Sequence, residues 1–187
     1  MPHIAIISAS IRRGRNSHRV ALFFKNFVEV KKLATAEILD LKEYNFPLFD
    51  ERLHHQENPT PEMLDFADKI KSADGVLIVT PEYNGGYPAA LKNVIDLLET
   101  EWRRKPIAIA TASDGDFAGT QVIISVQWSL WKLRSWTIPA RFHVPKVQHA
   151  YDESGIPSDK PLTEKLASGF INELLWCIEA KRRMETE

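Results

Sequence analysis

Short apolar runs alternate with amphipathic segments along the chain, the pattern of an α/β fold built on a parallel sheet. Five runs read as strands. Ile4 to Ser8 is the first. Ala36 to Leu41 is the second, and Glu37, Leu39 and Asp40 alternate there less cleanly than in a central strand, which predicts an edge or half-covered position. Gly75 to Thr80 is continuously apolar and β-branched, as a strand covered by helices on both faces should be. Ile107 to Ala112 is the fourth. Thr137 to Val144 is the fifth, and Pro139 inside it predicts an edge, because proline cannot complete a ladder on both sides.

The segments between them carry helical spacing. Val20, Phe23, Phe24, Phe27 and Val28 recur at three- and four-residue intervals and mark one buried face. Thr60-Pro61-Glu62 supplies a cap, a proline for the first helical position and an early acid, ahead of an apolar face of Met63, Ala67 and Ile70. Pro88 opens another helix, with Leu91, Val94, Ile95 and Leu98 on one side. The helix after Gly119 is apolar nearly all round, through Val122, Ile123, Ile124, Val126, Trp128, Leu130, Trp131 and Leu133, so it needs cover on more than one side. With Trp128, Trp131 and Trp136 beside it, a subunit contact is a simpler expectation than ligand cover. Thr163 to Arg183 reads as a closing helix, with Leu166, Ala167, Phe170, Ile171, Leu174 and Ile178 inward. The loop from Tyr44 to Pro59 and the segment from Pro145 to Pro161 account for the remaining length, so residues 1–187 are expected to form one domain.

Composition narrows the classes. With 44% hydrophobic and 26% charged residues, the chain is an ordinary globular one. Lys and Arg number 24 against 25 Asp and Glu, a net charge of −1 that removes the usual electrostatic case for nucleic acid. No apolar run is long enough to span a membrane, and His3 to Ile7 reads as a strand instead of a signal peptide. Cys177 is the only cysteine, so neither an intrachain disulfide nor a cysteine-built zinc site is available, and a reducing, cytoplasmic compartment is expected. Cys177 itself reads as a small core residue. His54-His55 has no supporting ligand constellation and reads as solvated loop; no metal is expected. Trp102-Arg103-Arg104-Lys105 places cations at a helix C-terminus, where they complement the dipole.

In open parallel sheets, ligands bind beyond the carboxyl ends of the strands, where strand order reverses. The loop after the first strand, Ser8 to Arg19, is rich in hydroxyls and arginines and leads into a helix N-terminus. It is an anion site in outline: the dipole and open N–H groups favour a phosphate, and Ser10, Arg12, Asn16 and Ser17 can add hydrogen bonds. The alternative is that Asn16 or Ser17 merely caps the helix while the arginines are solvated. The loop has neither the Gly-Lys-Ser/Thr of a Walker motif nor the spaced glycines of a dinucleotide fingerprint, so a mononucleotide-type phosphate suits it better. After the third strand, Thr80 to Pro88 (TPEYNGGYP) specifies a rigid, irregular loop whose glycines expose backbone to a ligand edge. Its tyrosines offer apolar bodies with polar tips. A plain structural turn accounts for the glycines but not for the tyrosines. Lys92 on the next helix reads as solvated and Asn93 as a packing hydrogen bonder. After the fourth strand, Ser113 to Thr120 again puts small residues at a strand-to-helix turn. Three such loops could wall one pocket.

At these residues the sequence resembles the NADPH-dependent FMN reductase family, flavodoxin-like enzymes that include quinone, azo and chromate reductases. The strongest match is Thr80 to Leu98, TPEYNGGYPAALKNVIDLL, similar to the family's Pro-Glu-Tyr-Asn loop and Leu-Lys-Asn helix. Ser10, Arg12, Ser17 and Arg19 match its Ser-x-Arg phosphate loop, and Ser113 to Gly119 its glycine-containing loop. The resemblance implies a flavodoxin-like three-layer sandwich, a five-stranded parallel sheet of order 2-1-3-4-5 with helices on both faces. It implies FMN with its phosphate on Ser10, Arg12, Asn16 and Ser17, its ring held mainly by the backbone of Pro81, Glu82, Tyr83, Asn84 and Gly85, and Ser113, Asp114 and Gly115 closing the other side. It further implies NADPH or NADH giving hydride to the flavin, which then reduces a quinone, free flavin, azo compound or similar small-molecule acceptor, with no dedicated catalytic side chain. A homodimer or dimer of dimers, paired through the helices after the third and fourth strands, is implied as well. Two departures stand out: Ala9 and Ala118 occupy positions where many members have glycine. Other expectations for this fold are a non-catalytic flavodoxin-type electron carrier, against which near-neutral charge weighs, and an FMN-free interaction protein.

Overall fold

A computed structural model describes residues 1–186, so Glu187 lies outside the described residues. Its sheet has five parallel strands in the order β2-β1-β3-β4-β5: β1 His3–Ser8, β2 Thr35–Asp40, β3 Gly75–Pro81, β4 Pro106–Ala112 and β5 Trp136–Val144. The helices are α1 Ser17–Val30, α2 Leu41–Tyr44, α3 Pro61–Ser72, α4 Ala89–Leu97, α5 Val122–Lys132, α6 Val147–Ala150 and α7 Lys160–Thr186. The expected strand order and both expected edges are present.

Every residue of β3 and β4 is buried, which is why these strands read as unbroken apolar runs. Alternate side chains feed two separate cores. Ile4, Ile6, Leu77, Val79, Ala108 and Ala110 pack beneath α1 and α7. Ala5, Ile7, Val76, Ile78, Ile107 and Ile109 pack beneath α3, α4 and α5. On β5 the register slips: Ile107 faces Thr137 but Ile109 faces Arg141, and Pro139 falls inside the irregular stretch. An edge strand accommodates a proline and a bulge together because only one side must pair.

Helix α3 starts as its sequence predicts, with Pro61 in the first turn and the Thr60 hydroxyl accepting from the Met63 N–H at 3.3 Å. Its far end is closed by a residue from elsewhere. Lys105 is buried and donates to the carbonyls of Lys71 and Ala73 at 3.0 and 2.5 Å, and burial lowers its pKa to about 8. A cation does complement a helix C-terminus here, but the helix is α3 and not the one preceding Lys105. Helix α7 begins three residues before the expected Thr163, because Asp159 accepts from the Leu162 N–H at 3.1 Å and Pro161 is tolerated in a first turn. Leu166, expected inward, is exposed. Cys177 is half-buried against the core, and burial raises its pKa. Asn93 is the packing hydrogen bonder expected: it accepts from the Phe49 N–H at 2.5 Å and donates to the Pro47 carbonyl at 2.6 Å, pinning the long loop to α4.

Candidate functional site

The carboxyl ends of β1 and β3 mark the point where chain order reverses, and the loops that leave them meet there. Helix α1 enters this crevice with an unusual N-terminus. Asn16 occupies the cap position with α-region backbone angles and its side chain makes no capping bond, and the first turn holds no acid. The Ser17 and His18 N–H groups therefore have no intrachain acceptor among the described residues, and the positive end of the dipole is uncompensated. The reading of Asn16 as a mere side-chain cap is thus not what the structure shows.

The arginines of this loop divide their roles. Arg15 makes a bidentate ion pair with Asp40 and donates to the Ser10 carbonyl at 2.8 Å. Arg19 donates to the Tyr151 carbonyl at 3.0 Å, across to the segment after α6. Among the described residues, Arg12 and Arg13 form no hydrogen bond from their guanidinium groups; of these two only Arg12 lines the cleft, and its guanidinium sits 5.5 Å from the centre of the Tyr83 ring. That ring's hydroxyl shares a 2.7 Å hydrogen bond with the buried Ser10 hydroxyl. Beneath the loop, His18 Nδ1 lies 2.9 Å from the Ser8 hydroxyl and 3.6 Å from Asp40. Both partners meet the same ring nitrogen, so this is no relay of serine, histidine and aspartate. Burial, then the neighbouring Arg15, lowers the His18 pKa.

The loop after β3 is shaped by a tight hairpin. Tyr83 and Gly86 exchange two backbone hydrogen bonds of 2.8 and 3.0 Å, and Asn84 and Gly85 both have positive φ, 52° and 78°. Asn-Gly is the residue pair such a turn favours. Glu82 points away from the hairpin and accepts from the Gln121 and Val122 N–H groups at 3.0 and 3.1 Å, which makes it the N-terminal cap of α5 from another loop.

The loop after β4 is fastened at both ends. The Thr111 hydroxyl donates to the Ala118 carbonyl at 2.6 Å, and Gly115 accepts from the Ser113 hydroxyl at 3.1 Å. Gly119, at φ 70°, passes so close to Thr111 that an added Cβ would lie 3.2 Å from the threonine side chain. Ala118 holds φ 54°, a left-handed conformation that costs an alanine about 1 kcal/mol.

The three loops wall one cleft of about 120 Å³. Of the residues expected from sequence, Ser10, Arg12, Asn16, Ser17, Pro81, Glu82, Tyr83, Ser113 and Asp114 line it. Asn84, Gly85 and Gly115 do not. Gly85 instead borders a neighbouring apolar shelf formed with Gln121, Ile124, Ser125, Trp128 and Trp131. Ile124, Trp128 and Trp131 are exposed on α5, whereas Val122, Ile123, Val126 and Leu130 are buried. Neither Ala9 nor Ala118 lines the cleft, and both are buried. Sequence reasoning missed Val147 in the lining and Gln148, whose amide donates to the Asp114 carbonyl at 3.3 Å. Both come from α6, a single helical turn with no pattern of its own to announce it. Among the described residues there is no metal-binding cluster and no helix long and apolar enough to cross a membrane.

Comparison with known proteins bears on family and fold. The model of a family described as NADPH-dependent FMN reductase matches residues 2–149. The NAD(P)H-dependent FMN reductase LOT6 of Saccharomyces cerevisiae is 31% identical over 121 residues, 58% of this chain and 63% of that one. A quinone reductase of Pseudomonas putida is 32% identical over 133 residues, 68% of each chain. The chain thus spans 63% of the length of the yeast relative, and 57% of a related NAD(P)H-dependent FMN reductase of Schizosaccharomyces pombe. Among solved structures, FerB, a flavoenzyme NAD(P)H:(acceptor) oxidoreductase from Paracoccus denitrificans, superposes with a TM-score of 0.77 at 24% identity, covering 96% of this chain and 98% of that one. That likeness is one of fold.

Proposed function

The chain belongs to the NADPH-dependent FMN reductase family, and from that premise we propose that it binds FMN in the cleft and passes reducing equivalents from NADPH or NADH to a quinone or similar small-molecule acceptor. The observation that carries this reading is the bare N-terminus of α1 beside Arg12, the arginine that lines the cleft with its guanidinium free of hydrogen bonds. The residues fit the group. A phosphate would find the Ser17 and His18 N–H groups, the Ser10 and Ser17 hydroxyls, Asn16 and the Arg12 guanidinium, and no acid in the first helical turn to oppose it. The methyls of Ala9 and Ala118 lie in the protein interior, so neither narrows the cleft.

When bound, the flavin supplies the hydride and electron chemistry, accepting from the nicotinamide and donating to the second substrate. The chain's own part is to bind and orient. Pro81 to Gly85 present a rigid backbone edge, fixed by the hairpin at Asn84-Gly85 and anchored to α5 through Glu82. Ser113 and Asp114 face it from the loop after β4, which is steadied by Gln148 and by Thr111. Arg15 and Arg19 hold the phosphate loop in place and leave Arg12 to meet the anion. No side chain is needed as a proton donor or acceptor for this role.

The same reading makes the protein cytoplasmic and a homodimer or dimer of dimers, with the exposed Ile124, Trp128 and Trp131 face of α5 as a subunit contact, the kind of apolar patch that marks an interface. One flavodoxin-like domain carries the whole site. The test is uptake of FMN against riboflavin, followed by NADPH- and NADH-dependent reduction of a water-soluble benzoquinone. Tight FMN binding, weak riboflavin binding and quinone turnover support the reading. A protein that takes up FMN but is inert to both nicotinamides is a carrier instead, and one that takes up no FMN overturns the reading.

A further inference from the structure

The face of α7 turned away from the sheet carries a self-complementary pattern. Ala167, Phe170, Ile171, Leu174 and Ile178 are buried against the core. On the opposite side Leu162, Lys165, Leu166, Gly169, Glu173 and Trp176 are all exposed. At 3.6 residues per turn these six fall within an arc of about 100°, a single stripe roughly 21 Å long. Trp176 leaves 71% of its surface in solvent and Leu162 and Leu166 more than half of theirs.

Two further observations single out a second copy of the chain as what covers this stripe. The other charged residues of α7 pair within the chain: Glu164 with Lys31 and Lys160, Lys181 with Glu185, and Glu179 with Arg182 and Arg183. Lys165 and Glu173 form no ion pair among the described residues. Gly169 sits between them, and nothing in the chain lies within 4 Å of where its Cβ would be. No neighbour within the fold requires a glycine there, and in a helix interior it is costly relative to alanine. The three positions are evenly placed: Lys165 is four residues before Gly169 and Glu173 four after, while Leu162 is seven before and Trp176 seven after.

We propose that α7 is a self-association surface on which two copies pair antiparallel about a two-fold axis at Gly169. That operation sets Lys165 of each copy against Glu173 of the other and Leu162 against Trp176, and it lets the two helices approach closely at the glycines. A parallel arrangement would oppose lysine to lysine and glutamate to glutamate. An isologous contact of this kind uses one patch twice, as two-fold symmetry requires. It is separate from the α5 face and does not depend on the flavin reading. If both contacts form, their two axes generate a dimer of dimers.

Charge reversal tests the register. Sedimentation velocity of the full chain is compared for wild type, Lys165→Glu, Glu173→Lys and the double variant, each in a Trp128→Glu/Trp131→Glu background that removes the α5 contact. Each single reversal should weaken dimerisation by about tenfold or more, and the double variant should restore it. Gly169→Gln should block dimerisation without lowering the thermal midpoint read at a dilution where wild type is monomeric, since its side chain meets nothing within the chain. Gly169→Cys with Cys177→Ser should form an intermolecular disulfide under mild oxidation, because close-packed helices bring facing Cα atoms to within about 5 Å. A background protein that is monomeric, or single reversals that leave its dimer unchanged, or a double variant as defective as the singles, overturns the proposal.

Discussion

Arg15 grips Asp40 with both guanidinium nitrogens and donates to the Ser10 carbonyl at 2.8 Å, so one side chain ties the loop after β1 to the end of β2. The side chains keep only 11% and 13% of their surface exposed, so solvent screens the pair little. Removing the carboxylate leaves a nearly buried cation without its partner, and also the Lys42 N–H that Asp40 caps at 3.0 Å. Asp40→Ala should destabilise the fold by about 3 kcal/mol in denaturant unfolding. It should weaken FMN binding too, although Asp40 lies outside the cleft lining.

Arg12→Ala separates binding from folding. The guanidinium contacts only the Tyr83 ring and is exposed, so unfolding should change by no more than about 0.5 kcal/mol. The loss of a charge-assisted contact to phosphate should raise the FMN dissociation constant by roughly 10- to 100-fold, measured by fluorescence titration. Riboflavin binding should hardly move.

Glu82→Gln keeps the shape of the α5 cap but removes its charge. The carboxylate accepts from two N–H groups at the positive end of the helix, so the variant should lose about 1 kcal/mol of stability and lower the thermal midpoint. An unchanged midpoint would deny the cap its role.

Ala118→Gly should raise stability by about 1 kcal/mol, because its φ of 54° suits glycine and its side chain is outside the cleft lining. Differential scanning calorimetry reads this directly, and a lower midpoint would contradict it.

Two histidines give the fold an acid limb. Burial lowers the pKa of His18 and of His143 below 6.5, with Arg15 and Arg141 adding to it. The unfolded chain therefore binds more protons than the native one as pH falls through 6.5, so stability is full above that value and declines below it. Between pH 7.5 and 5 the His18→Gln/His143→Gln variant should show a shallower decline in unfolding free energy than wild type.

Much of this was legible along the chain. The central place of β3 and β4 follows from their unbroken apolar runs and the two edges from the mixed pattern of β2 and Pro139 in β5, while the full strand order came from the family resemblance. The loops of the cleft were legible because glycine, proline and hydroxyl residues cluster at strand ends. Pairings across long sequence separations were not. Nothing local says that Arg15 will meet Asp40, that Glu82 will cap a helix 39 residues on, or that Lys105 will close α3. Sequence likewise left three arginines equivalent, and only their partners in space set Arg12 apart. The inward and outward faces of α7 were misjudged at Leu166, since Leu166 and Ala167 are adjacent apolar residues and nothing local marks which of them the buried stripe takes.

The measurement that bears most directly on the central claim is anaerobic stopped-flow absorbance of the FMN-loaded protein, mixed with NADPH or NADH and then with benzoquinone. The account predicts that at least one nicotinamide bleaches the bound flavin faster than it reduces free FMN, that the quinone restores the colour, and that Arg12→Ala loses both signals at flavin concentrations that saturate wild type. Bound flavin that neither nicotinamide reduces faster than free FMN would contradict it.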